Sequence, residues 1–271
     1  MSILDRFKPF QLPNGGFKQF HSMNHYISNL NLVSTETVLR VAYYHDITKD
    51  DSFVQSILDY VKSLLYEKEE YPDRKEKVIN FKVFTELMYA TWLTIFNVDD
   101  PKAKTIRKKW KIVVEYATTK NTFNEDKYKE KYDEIIGKPL HGERYITLNN
   151  FYIVALLKDE LDSHSREIFS KYIMKQGIYY IYGKTLKKLP KAFDHNESIY
   201  YLLAVKMISN YITHKEDLKF VKDWILSHEI DGNWSMKNIR KDQIIFIEDW
   251  KKPSIKQEEI NQFMHRILNV L

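Results

Sequence analysis

Residues 34–65 read STETVLRVAYYHDITKDDSFVQSILDYVKSLL, and this stretch decides the fold. Ser34-Thr35-Glu36 opens a segment in which Val38, Leu39, Val41, Ala42 and Tyr43 recur with helical spacing. Asp46-Ile47-Thr48-Lys49-Asp50-Asp51 then forms a polar turn. After it, Phe53, Val54, Ile57, Leu58, Val61, Leu64 and Leu65 fall at i, i+3, i+4 and i+7. Two helices joined by a short polar turn make an αα-hairpin.

The same organisation recurs along the chain, as expected of a repeat protein. A second unit starts near Asn80. Val83, Phe84, Leu87, Met88, Trp92, Leu93 and Phe96 form its first helix, and Pro101 takes a favoured first position in its second. A third starts at Thr147 and a fourth at Asp194, with polar turns at Asp162–Ser165 and Thr213–Asp217. Between the second and third units, residues 121–146 form an insertion rich in Lys, Glu and Tyr. It reads as a solvated, charged loop with a short helix. Ile244–Ile247 reads as a brief strand. Residues 254–271 read as an amphipathic helix, capped by Ser254, with Ile260, Phe263, Met264, Ile267 and Leu268 on one face. The expected fold is all-α, with residues 1–271 forming a single helical-repeat domain. Its αα-hairpins build either an α/α toroid or a curved helical solenoid.

Composition narrows the function. The chain has 271 residues, with 7 Gly, 7 Pro and no Cys. Scarce Gly and Pro argue against a turn-rich β fold and against glycine-loop nucleotide sites. Without Cys there is no disulfide framework, thiolate-held metal or thiol nucleophile. The net charge of +5 is spread along the chain rather than gathered on one face, which argues against a nucleic-acid partner. No apolar run is long enough to span a membrane. The first twenty residues carry Asp5, Arg6, Lys8 and Lys18 and lack the apolar centre of a signal peptide. A cytoplasmic location is expected.

Two turns bracket the hairpins. Gln11-Leu12-Pro13-Asn14-Gly15-Gly16-Phe17 places a Gln ahead of a Gly-x-aromatic ending, and Glu229-Ile230-Asp231-Gly232-Asn233-Trp234 is similar. In each, the glycine stops the preceding element and the aromatic folds back over it, while Gln11 or Glu229 satisfies free backbone groups. The pattern resembles the QW-type repeat of the terpenoid cyclase and protein prenyltransferase class of α/α toroids. That resemblance implies a ring whose outer helices end in such turns. The catalytic motifs of that class do not follow. Asn97-Val98-Asp99-Asp100 departs from Asp-x-Asp-Asp and suits a helix cap. Asp50-Asp51-Ser52-Phe53-Val54 lacks the third carboxylate of a magnesium motif, and no Cys is present for zinc.

In a toroid, the N-terminal ends of the first helices converge on one mouth. Asp194, His195 and Glu197 are the candidate catalytic group there, with His195 or a carboxylate transferring a proton. Asp194-x-x-Glu197 also resembles a capping box. Glu36, Glu86, Tyr89, Trp92, Asn149, Asn150, Tyr152 and Tyr200 are candidate ligand-lining residues on or beside first helices. His21 and His25 stand four apart, a spacing that suits a metal on a helix, but no acidic residue lies near them in sequence, and they read as partly exposed polar residues. No metal and no cofactor are expected. The sequence favours a non-catalytic helical-repeat protein that binds another macromolecule, most readily a protein. The alternative is a toroid enzyme or ligand-binding protein with an aromatic-lined cavity for a small apolar ligand. Whether the chain is an enzyme stays open at this point.

Overall fold

A computed structural model describes residues 3–27, 29–75, 77–118, 121–240, 242–244, 246 and 253–271. The helices are α1 (Thr35–Tyr44), α2 (Ser52–Leu65), α3 (Phe81–Ile95), α4 (Pro101–Ala117), α5 (Glu125–Tyr132), α6 (Phe151–Leu156), α7 (Ser163–Gln176), α8 (Asn196–Ser209), α9 (Lys219–Leu226) and α10 (Pro253–Leu268). Among the described residues the one sheet is a two-stranded hairpin, β1 (Glu229–Ile230) and β2 (Asn233–Trp234). The fold is all-α. Among the described residues, no helix is long and apolar enough to cross a membrane.

Side-chain caps explain where the helices begin. Ser34 accepts from the Thr37 amide, Asp51 from Phe53 and Val54, and Asn80 from Val83. Asp100 accepts from Lys102 and Ala103 with Pro101 following it, so the Asp99-Asp100 pair serves a helix start. Asn150 and Asp162 cap α6 and α7.

The first helices lie deepest. Every residue of α1 except Tyr43 is buried. Trp92 of α3 reaches Glu36 of α1, and Thr91 donates to the Tyr152 carbonyl of α6 at 3.2 Å. Tyr211, just past α8, donates to the Val154 carbonyl of α6 at 2.5 Å. Lys206 of α8 approaches Asp46, just past α1, at 3.9 Å. Helices α2 and α9 bury one face only, which accounts for their amphipathic patterns.

Both bracketing turns act as stops, by different means. Gln11 Nε2 donates to the Gly15 carbonyl at 2.9 Å and to Ser56 Oγ at 2.7 Å, and Phe17 packs edge-on against Phe53. Gly15 has φ +87°, and a Cβ there would lie 2.3 Å from the Ser56 carbonyl oxygen. At the other turn, Trp234 Nε1 donates to the Ile225 carbonyl at 2.9 Å, so its ring closes the end of α9. Glu229 does not supply the polar contact expected of it. It is exposed and pairs through its backbone with Trp234, because Asp231 and Gly232, both at positive φ, close a tight hairpin.

Three further expectations are corrected. The 121–146 insertion is not merely solvated: Tyr128 and Tyr132 of α5 are buried, Tyr128 donates to the Ile146 carbonyl at 2.6 Å, and Tyr132 packs edge-on against Trp110. Ser254 lies inside α10, one residue after its first. Within the expected strand, Ile244 and Phe246 are not in strand, and Ile245 and Ile247 lie outside the described residues. Gly15→Ala should lower stability by about 2 kcal/mol or more in urea unfolding, through the strained φ and the carbonyl clash. Gly183→Ala, where a Cβ meets nothing within 4 Å, should change it by less than about 0.5 kcal/mol.

Candidate functional site

Glu36 stands in the first turn of α1 and is fully buried. Its carboxylate is the meeting point of four donors. Oε2 accepts from His21 Nδ1 at 2.6 Å and from the Ser22 amide at 3.1 Å. Oε1 accepts from Trp92 Nε1 at 2.7 Å and from Tyr152 Oη at 2.6 Å. A carboxylate only accepts, so the His21 proton facing it sits on Nδ1 and the Nε2 edge is left to face outward. Burying one carboxylate unpaired costs several kcal/mol, and this donor set removes most of that cost.

The chain before α1 is drawn across the first-helix ends to make this possible. The Thr35 and Glu36 amides donate to the Gln19 and Phe20 carbonyls at 2.9 and 3.0 Å, which satisfies free N–H groups of the helix start. Asp73 accepts from the Phe20 and His21 amides on the other side, at 2.7 Å from His21. One turn along α1, buried Arg40 donates through Nη2 to the Ser22 carbonyl at 2.9 Å and to the Asn24 carbonyl. His25 Nε2 donates to the Tyr180 carbonyl at 3.1 Å, and its ring lies 4.2 Å from that of Tyr200 on α8. Residues 19–25 therefore run from α1 to α8 in extended form rather than as a helix.

Electrostatics separate the two histidines. Burial opposes charge on His21, but the Glu36 carboxylate, its hydrogen bond and Asp73 outweigh burial and raise the imidazole above 6.5. Burial, and then the Arg40 charge, push His25 down to about 3, so its ring is neutral.

Of the residues singled out by sequence, Glu36, Trp92 and Tyr152 come together. Tyr89 is buried nearby, its ring 5.1 Å from that of Phe20. Tyr200 joins through His25 and accepts from Gln243 Nε2 at 3.1 Å. The others have separate tasks. Glu86 pairs with Lys102 at 3.7 Å, Asn149 donates to the Gly177 carbonyl at 3.3 Å, and Asn150 caps α6. Asp194 accepts from Asn238 at 2.7 Å, and Glu197 pairs with Lys184 at 2.8 Å and accepts from Tyr182 at 3.2 Å. His195 is exposed, and its Nδ1 accepts from the Glu197 amide at 3.2 Å. The expected capping box is thus replaced by a histidine cap, since the Asp194 side chain is held by Asn238. His21 and His25 bind separate partners, and the acidic partner of His21 is Glu36, fifteen positions away. Among the described residues, no three His, Asp or Glu side chains form a group that could hold a metal ion.

Sequence reasoning read His21 as a partly exposed polar residue, and passed over Arg40 and Asp73. A signal was present for Arg40: it stands four residues after Glu36, on the same face of one helix. Over His21 opens a cleft of about 430 Å³, lined by Lys18, Gln19, Tyr71, Asp73, Arg74, Phe81 and Phe84. Comparison with protein-family models, curated proteins and solved structures finds no match to this chain.

His25 gives the site a pH signature. Its folded value lies below 6.5, so it contributes stability that is complete above 6.5 and is lost as pH falls toward about 3. Chemical denaturation from pH 6.5 to 4 should show His25→Gln, which keeps a donor for Tyr180, losing stability less steeply than the parent. The difference in slope should approach about 1.4 kcal/mol per pH unit. Identical slopes would show that His25 is not held neutral.

Proposed function

We propose that this chain is a ligand-binding α/α ring whose site is the cleft over His21. The first helices α1, α3, α6 and α8 close the ring, and the Glu36-oriented imidazole moves a proton to or from the ligand. The observation that supports this most is a buried carboxylate fixing one edge of a histidine whose other edge faces a cleft. That arrangement fixes tautomer and orientation, as general acid–base chemistry requires. The contacts from α1 to α3, α3 to α6, α6 to the end of α8, and α8 back to Asp46 support closure over an open solenoid.

The cleft's lining indicates the ligand class. Lys18 and Arg74 have no ion-pair partner among the described residues, and Tyr71, Phe81 and Phe84 supply ring faces. With His21 raised above its ordinary value by Glu36, this suits a small organic anion carrying an apolar body. A second groove of about 340 Å³ lies at the opposite ends of the first helices. Lys104 is paired with Asp99 and Arg107 with Glu160, and no histidine lines it, which makes it the weaker candidate. The most exposed large apolar residues, Leu32, Leu140 and Ile230, are spread over separate elements, which favours the cleft over a protein-docking face.

The test is NMR of the full chain with labelled histidines, titrated with benzoate and with phenyl phosphate. His21 resonances should shift and saturate with one of them. Lys18→Gln with Arg74→Gln should weaken that binding by about tenfold or more. Absence of any saturable shift at His21 with either probe contradicts the reading.

A further inference from the structure

The two ring nitrogens of His21 are in unequal positions. Nδ1 is committed inside the protein, 2.6 Å from Glu36 Oε2 and 3.0 Å from Tyr152 Oη. Nε2 makes no hydrogen bond among the described residues and is not buried, and the side chain as a whole is 22% exposed. With the proton fixed on Nδ1, the Nε2 lone pair is the nucleophilic edge of the neutral ring. The Glu36 carboxylate makes that lone pair more basic, and it stabilises the positive charge the ring gains when Nε2 forms a bond.

The cleft lining decides what such a lone pair can attack. No Ser, Thr or Cys side chain lines it, and burial, with Asp73 beside it, holds the Tyr71 phenol protonated, so the imidazole is the nucleophile there. Lys18 and Arg74 stand exposed on the lining without an ion-pair partner among the described residues. The one carboxylate on the lining, Asp73, already accepts from the Phe20 and His21 amides. Two cations beside an open imidazole nitrogen match the charge of a phosphoryl group. Transfer of that group is catalysed chiefly by positioning and charge neutralisation.

We infer that His21 Nε2 accepts a phosphoryl group from a small phosphorylated donor, which makes the cleft a phosphoryl-transfer site. The Nε2 lone pair forms the N–P bond while the bond from phosphorus to the leaving group breaks, and the leaving group departs with that electron pair. The Nδ1 proton stays in place, and the positive charge on the ring lies against Glu36. Lys18 and Arg74 hold the phosphoryl oxygens, and Phe81 and Phe84 contact the apolar part of the donor. The inference rests on the cleft being the ligand site, and it adds bond-making to the proton transfer proposed for the same imidazole.

Phosphoramidate, which phosphorylates imidazoles directly and releases ammonia, is the probe. The full chain is incubated with it in mildly alkaline buffer, and histidine phosphorylation is followed by phosphorus and nitrogen NMR. Of the 9 histidines, His21 should react first, on Nε2, ahead of the fully exposed His195, His214 and His228. The product should be lost in acid and kept in alkali. Lys18→Gln with Arg74→Gln, both at exposed positions, should slow the reaction of His21 by about tenfold or more and leave the other histidines unchanged. Reaction of His21 no faster than that of the exposed histidines, or at an unchanged rate in the double variant, overturns the inference. A saturable His21 shift with phenyl phosphate alongside either result would leave the ligand-binding reading standing, so the two fail separately.

Discussion

The Glu36 carboxylate is the constraint on which the rest of this structure depends. Four donors reach it from the 19–25 segment, α3 and α6. No single segment can satisfy a buried carboxylate alone, and each segment is held in place because the others are present. Leaving one such charge without its partners costs on the order of 3–5 kcal/mol, a large fraction of the stability of a typical domain. The position of the segment over the first-helix ends thus follows from electrostatic need as much as from apolar burial.

The same carboxylate connects fold to chemistry. By accepting a hydrogen bond from Nδ1 it presents the opposite edge of His21 to a cleft flanked by Lys18 and Arg74. Arg40, one turn further along α1, holds the Ser22 and Asn24 carbonyls and thereby sets where His25 can lie. The two histidines, four residues apart, shift in opposite directions, because the Glu36 carboxylate outweighs burial at His21 whereas burial, with the Arg40 charge added, lowers His25. Sequence spacing alone carries no such information.

The hairpin architecture was legible because it rests on local signals. Apolar spacing, Asp51 and Asp100 ahead of their helices, and the Gly15 turn each act within a few residues. Three of the candidate ligand residues converge: Glu36 and Tyr152 stand in the first turns of α1 and α6, and Trp92 reaches them from the last turn of α3. What the sequence concealed is long-range. His21 looked partnerless because Glu36 becomes its neighbour only when the segment folds back along α1. Asp194 and Glu197 looked like a capping box until Asn238 and Lys184, from distant loops, took their carboxylates. The insertion looked solvated because the tyrosines that bury it are spaced among lysines and glutamates, where composition outweighs period.

The most direct measurement is hydrogen exchange on the full chain carrying Glu36→Gln. That change is nearly isosteric but turns one accepting oxygen into a donor among donors. If Glu36 anchors the crossing segment, amides of residues 19–25 lose most of their protection, while α2 and α4 exchange as in the parent chain. Unchanged protection across 19–25, or a uniform loss over every helix, would contradict the central role given to this carboxylate.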